Sequence, residues 1–189
     1  MDASIHKAFS EHEAVVKATQ SHLGERIAQA AELIVGAYRQ GGGVLLFGNG
    51  GSAADAQHLA AELVGRFQRQ RQALRAEALS VNTSILTAVA NDYDFERVFV
   101  RQLEANAREG DVAFAMSTSG NSPNVVAALK YARQHGLKTV ALTGQGGGKC
   151  APHADVLLDI PSAATPRVQE VGVLVYHMLC ELVEDALAG

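Results

Sequence analysis

Three groups of residues in this chain have types and spacings suited to chemistry. The first lies in residues 48–63, GNGGSAADAQHLAAEL, directly after the apolar run Val44-Leu45-Leu46-Phe47. A strand, a glycine turn and a helix start make an anion site, because the first backbone N–H groups of a helix lack internal partners and its dipole favours negative charge there. Ser52 is placed to cap that helix. His58 and Glu62 stand at i and i+4, on one helix face, with Cβ atoms about 6 Å apart. An imidazole and a carboxylate so placed suit a divalent metal or acid–base work. The second group is Ser117-Thr118-Ser119-Gly120-Asn121-Ser122-Pro123. Its hydroxyls and the amides of the helix that Ser122 and Pro123 begin can hold a phosphate monoester without a lysine. The third is Gln169 and His177, which interrupt an otherwise apolar C-terminal stretch. Eight residues separate them, about 12 Å along a helix axis and about 80° around it. One compact site reaches both only by stretching, unless they come from different subunits.

Other patterns dissolve on inspection. Gly48-x-Gly50-x-x-Ala53 matches the dinucleotide fingerprint, but the second strand ends in Ser80-Val81-Asn82, without the acid that would hold a ribose. The stretch GQGGGKC at 144–150 has the wrong spacing for a Walker loop and no Ser or Thr after Lys149. Cys150-x-x-His153 is half a zinc knuckle without its other half. His6, His12 and His22 read as solvated or interface residues. Arg69, Arg71 and Arg75 fall in a polar stretch that reads as a solvated loop, from which an arginine could reach a phosphate.

The elements that must position these groups follow from periodicity. Helical spacing covers 5–23 and, with the stripe Ile27, Ala30, Ala31, Ile34, Val35 and Tyr38, the segment ending at Gly41-Gly42-Gly43. Strands are expected at 44–47, 76–80, 111–116, 138–142 and 155–160. Helices are expected from the glycine turn to about Phe67, from a cap at Thr83 or Ser84 through Ala90, over 94–106 after a break at Asn91-Asp92-Tyr93, over 122–134, and over 167–187. Short apolar strands alternating with helices predict an α/β fold, a three-layer α/β/α sandwich around a central parallel sheet. Ligands in such folds sit at the carboxyl ends of the strands, where both loops fall.

The bulk composition limits the function classes. At 189 residues, with 48% hydrophobic and 19% charged residues, a single soluble domain is expected. A net charge of −4 without a basic block argues against nucleic acid as a partner. No apolar run approaches the ~20 residues of a membrane span, and the N-terminus lacks a signal-peptide core. Two cysteines, Cys150 and Cys180, make no disulfide framework, which suits a reducing cytoplasmic setting.

Taken in order, GNGGSAADAQHLAAEL, TSILTAVANDYDFERVF, STSGNSPNVVAAL, ALTGQGGG and TPRVQEVGVLVYHMLCELVE resemble the phosphoheptose isomerases of the sugar isomerase (SIS) domain superfamily over nearly the whole chain. The resemblance implies a single SIS domain over 1–189, with N-terminal helices in 1–42 used in oligomerisation, a sugar-phosphate core over 43–189 and a long C-terminal helix. It implies isomerisation of sedoheptulose 7-phosphate to D-glycero-D-manno-heptose 7-phosphate, the first step towards the nucleotide-activated heptose of lipopolysaccharide core or surface glycans. It further implies a cytoplasmic homotetramer with one zinc ion per subunit and active sites at subunit interfaces. By motif, Asn49, Gly50, Gly51, Ser52, Asn91 and Asp92 would line the substrate. Ser117, Thr118, Ser119 and Ser122 would hold its phosphate. His58, Glu62, Gln169 and His177 match the family's metal ligands, His58, Glu62 and Gln169 also facing substrate, and Glu62 and His177 match its catalytic base and acid. Pro166 stands where some members carry an acidic residue. A non-enzymatic branch that binds the bacterial replication initiator shares the fold and the glycine loop. Glu62 together with His177 favours the enzyme.

Overall fold

The structure is a computed structural model, and it describes residues 2–188; residues 1 and 189, the ends of the expected domain, lie outside the described residues. The chain opens with α1 (Asp2–Arg39), then β1 (Val44–Gly48), α2 (Gly51–Val64), β2 (Ala76–Ala78), α3 (Thr83–Asp92), α4 (Val98–Asn106), β3 (Val112–Ser117), α5 (Pro123–Gln134), β4 (Lys138–Thr143), β5 (Val156–Asp159) and α6 (Thr165–Leu187). Short 3-10 segments occupy Phe95–Arg97 and Gly148–His153.

All five strands are parallel, in the order β2-β1-β3-β4-β5. The sheet alternates its side chains between two apolar layers. Val44 and Leu46 face α1, α2 and α6, while Leu45 and Phe47 face α4 and α5. Burial on both faces is why the central strands β1 and β3 read as apolar runs. Chain order reverses between β1 and β3, whose carboxyl ends pair as Gly48 with Met116, and this switch point opens the crevice in which ligands of doubly wound folds sit.

Several sequence-based boundaries shift. The expected N-terminal helices are one continuous helix, because Gly24 alone costs only about 1 kcal/mol relative to Ala and the apolar stripe resumes beyond it. α2 stops at Val64 rather than Phe67; Gly65 follows and its N–H closes onto the Ala61 carbonyl at 2.8 Å. α3 is capped by the Asn82 side chain, which accepts from the Ile85 N–H, not by Thr83 or Ser84, and it runs on through Asn91 and Asp92.

Candidate active site

The crevice at the switch point is built from backbone. Gly50, at φ 56°, takes the capping position of α2, a left-handed conformation that a side chain would strain. Ser52, expected to cap, lies buried in the first turn instead. Across the crevice Ser122 does precede α5, with Pro123 in its first turn, yet its hydroxyl shares a hydrogen bond with the Ser117 hydroxyl at 3.1 Å rather than capping the helix. Ser119 Oγ accepts from the Asn121 N–H, and Asn121 in turn accepts from the Lys149 N–H, so this loop is pinned to the glycine-rich loop beyond β4. The two sides are stitched by reciprocal amides, Asn49 Nδ2 to Asn124 Oδ1 at 2.8 Å and Asn124 Nδ2 to Asn49 Oδ1 at 2.9 Å. α2, α5 and α6 all begin without a side-chain cap, which leaves their positive ends turned to a ligand. An open pocket of about 380 Å³ lies beside Asn49, Ser122 and Asn124, with Asp94, Phe95 and Glu96 along its other side. Asn91 and Asp92, joined by an amide-to-carboxylate bond of 2.8 Å, end α3 just ahead of that side.

The second part of the site lies on the flank of α2, where α6 runs beside it. His58 Nε2 stands 3.1 Å from Glu62 Oε1 and 3.4 Å from His177 Nε2. Burial, and then the neighbouring His58, hold the His177 pKa below the ordinary imidazole value, while Glu62 pulls it the other way. Behind His58 lie Tyr176 and Asp55, and burial raises the pKa of each above its ordinary value. Gln169, two helical turns before His177, stands at the head of α2, where a Cβ added to Gly51 would fall 2.2 Å from its amide nitrogen. His58, Glu62 and His177 therefore meet in one chain, and Gln169 stands towards the crevice. Among the described residues no group of three or more His, Cys, Asp or Glu already surrounds a common metal position.

What anchors this flank is a pair that sequence reasoning missed. Arg71 and Glu184 meet at 3.2 Å, both side chains only 2% exposed. Arg71 donates to the carbonyls of Glu62 and Leu63 at 2.7 and 2.8 Å, closing the carboxyl end of α2. Glu184 accepts from the N–H groups of Phe67, Gln68 and Arg69. The Arg71–Glu184 contact is ionic, for Arg71 Nε has no partner in hydrogen-bond geometry. The 68–75 stretch is the expected loop, mostly exposed, but Arg71 is drawn inward from it. Arg69 pairs with Asp185 and Arg75 with Asp111, so each of the three arginines faces a carboxylate of the chain. His12 and His22 tie α1 to Glu170 and Asp159. Cys150 and Cys180 are buried, their thiols pushed up to about 11 and about 12 chiefly by desolvation, which keeps them protonated and inert.

Comparison with known proteins places this geometry. The SIS domain model matches residues 9–144. The phosphoheptose isomerase of Geobacter sp. (strain M21) is 53% identical over 176 residues, 93% of this chain and 92% of that one. This chain belongs to the phosphoheptose isomerase family. A second member, from Trichlorobacter lovleyi, is 48% identical over 189 residues, 100% of this chain and 96% of its own. The solved structure of a phosphoheptose isomerase from Neisseria gonorrhoeae superposes with a TM-score of 0.92 at 41% identity, covering 97% of this chain and 98% of that one. The SIS fold, with its parallel five-stranded sheet and long C-terminal helix, is therefore the family's own.

Proposed function

We propose that the protein interconverts sedoheptulose 7-phosphate and D-glycero-D-manno-heptose 7-phosphate. The observation that carries this reading is the meeting of Glu62, His58 and His177 on the flank of a helix whose uncapped start, like that of α5, suits an anion. The phosphate would lie on Ser117, Thr118, Ser119 and Ser122, with the sugar along Asn49, Gly50, Gly51 and Ser52 and towards Asn91 and Asp92. The Glu62 carboxylate would take a proton from C1 of the ketose and return it to C2 of the enediol. His177, neutral near pH 7, would pass the accompanying proton between the two oxygens. Gln169, at the head of α2, is placed to hold the sugar chain between these two regions.

His58, Glu62 and His177, with Gln169 as a reaching fourth, would hold zinc. Two imidazoles and a carboxylate are a zinc donor set, and His58 stands within 3.1 Å of Glu62 and 3.4 Å of His177. Zinc would supply polarisation of the substrate carbonyl, worth several kcal/mol. A Glu62 that held zinc would be a weaker base than a free carboxylate.

The same reading makes the protein a cytoplasmic homotetramer supplying heptose for surface glycans, its sites completed across subunits. Among the described residues no helix is long and apolar enough to cross a membrane. Exposed apolar side chains on α1 and α6, Phe9 at 73% and Leu174 and Leu182 besides, support burial of the 1–42 region between subunits. A coupled assay with sedoheptulose 7-phosphate, run with and without a chelator, tests the reading. Turnover that the chelator abolishes and zinc restores is expected. No turnover, with capture of the replication initiator instead, would replace it with the binding function.

A further inference from the structure

Tyr176 comes one residue before His177 in an apolar stretch, where a tyrosine reads as core. It is fully buried, at 0% exposure, yet its ring stands edge-on to His58 and to His177, with centroids 5.4 and 5.1 Å away. Its hydroxyl lies 2.9 Å from His58 Nδ1 and 3.4 Å from Asp55 Oδ1. A phenol has one hydrogen to give, and an ionised carboxylate can only accept. When the phenol gives its hydrogen to Asp55, its oxygen is left to accept from His58, which must then carry its proton on Nδ1. The other ring nitrogen, Nε2, is bare in that tautomer.

That bare nitrogen faces Glu62 Oε1 at 3.1 Å. Two lone-pair atoms at this distance repel unless a positive centre lies between them. The same nitrogen lies 3.4 Å from His177 Nε2, so Glu62 and His177 both stand beside the bare position at which a cation would bind. The opposite tautomer would send Nε2–H to Glu62 and use up the one position a metal needs.

We propose that Tyr176 and Asp55 are positioning residues for His58. The chain from Asp55 Oδ1 through the Tyr176 O–H to the Nδ1–H of His58 fixes the tautomer and the ring orientation, and presents Nε2 to a divalent cation shared with Glu62 and His177. The inference rests on the zinc reading above and adds to it the group that sets the ligand.

Tyr176→Phe tests it, because phenylalanine keeps the ring and its packing and removes only the hydroxyl. Zinc affinity, measured by competition with a chromogenic chelator, should fall roughly 10- to 100-fold. The melting temperature of the zinc-free protein should stay near that of the wild type. In the zinc-loaded wild type, the His58 Nδ1 proton should give a downfield, slowly exchanging NMR resonance that Tyr176→Phe broadens or removes. Tyr131→Phe, at the stacked Tyr131–His135 pair elsewhere, should change neither readout. Tyr176→Phe binding zinc within twofold of the wild type, or keeping the resonance, would remove the positioning chain and leave the metal reading standing. A wild type that fails to bind zinc would remove both.

Discussion

The two ends of α2 are built in opposite ways. The amino end is made of glycines and backbone amides, capped by no side chain, and open towards the crevice. The carboxyl end is sealed by a buried ion pair, Arg71 with Glu184, that draws α6 and the 67–69 backbone onto the last carbonyls of the helix. His58 and Glu62 lie between them. A ligand can be met closely only where side chains are absent, and a helix can be held still only where side chains converge. The helix divides these tasks between its ends and sets its reactive groups where it is both reachable and fixed.

The sharpest way to isolate the middle is Glu62→Gln. It should leave both ends intact, hold the melting temperature, and lower kcat roughly 10²- to 10⁴-fold. A steady-state assay that finds the wild-type rate would move the chemistry elsewhere. At the sealed end, Arg71→Met strands a buried carboxylate and should cost about 3–5 kcal/mol in urea unfolding. A loss below about 1 kcal/mol would mean the pair is not the anchor.

The sealed end should also show in the pH dependence. Burial alone would raise the Glu184 pKa, but its three backbone donors and Arg71 outweigh that and hold it below the ordinary 4.5. A carboxylate with a lowered folded pKa stabilises the fold fully above its unfolded value. That contribution drains away as pH falls through the folded value. The stability gap between wild type and Glu184→Gln should therefore be widest above pH 4.5 and narrow below it. A gap that stays constant through acid would detach it from this carboxylate.

The open end is tested by Gly51→Ala. The new methyl meets only the flexible tip of Gln169, at 2.2 Å, so the amide must swing away. Stability should change by less than about 1 kcal/mol while KM rises roughly tenfold, as expected for a lost hydrogen-bonding position. The smallest effect belongs far from both ends. His12→Ala removes a partly exposed contact with Glu170 and should cost under about 1 kcal/mol, with activity unchanged.

The centre of the sheet was legible because β1 and β3 are buried on both sides, so Val44 to Phe47 and Val112 to Met116 stand out as apolar runs whatever follows them. The open end of α2 was legible for a similar reason: glycines, a following helix and a His/Glu pair at i, i+4 are local signals. Even there Gly50, not Ser52, takes the capping position, since the tight turn needs a positive φ two residues before the serine. The sealed end was opaque. Arg71 looks like any arginine in a polar stretch until Glu184 arrives from the last helix, and Tyr176 looks like core until Asp55 and His58 are behind it. Polar residues take their meaning from partners distant in the chain, and periodicity carries no information about those partners.

His58 and His177 touch across 119 positions of sequence. A chain emerging from the ribosome completes its sheet with β5 before any of α6 exists, and it releases α6 last. Until then the flank of α2 has neither His177 nor Glu184. The nascent protein can thus form its sheet and its glycine crevice while the layer of α1 and α2 still lacks the apolar face of α6 and the proposed site lacks His177. The segment that brings His177 to His58 is also the one that closes the core over α1 and α2, so completing that layer and completing the proposed site are one event.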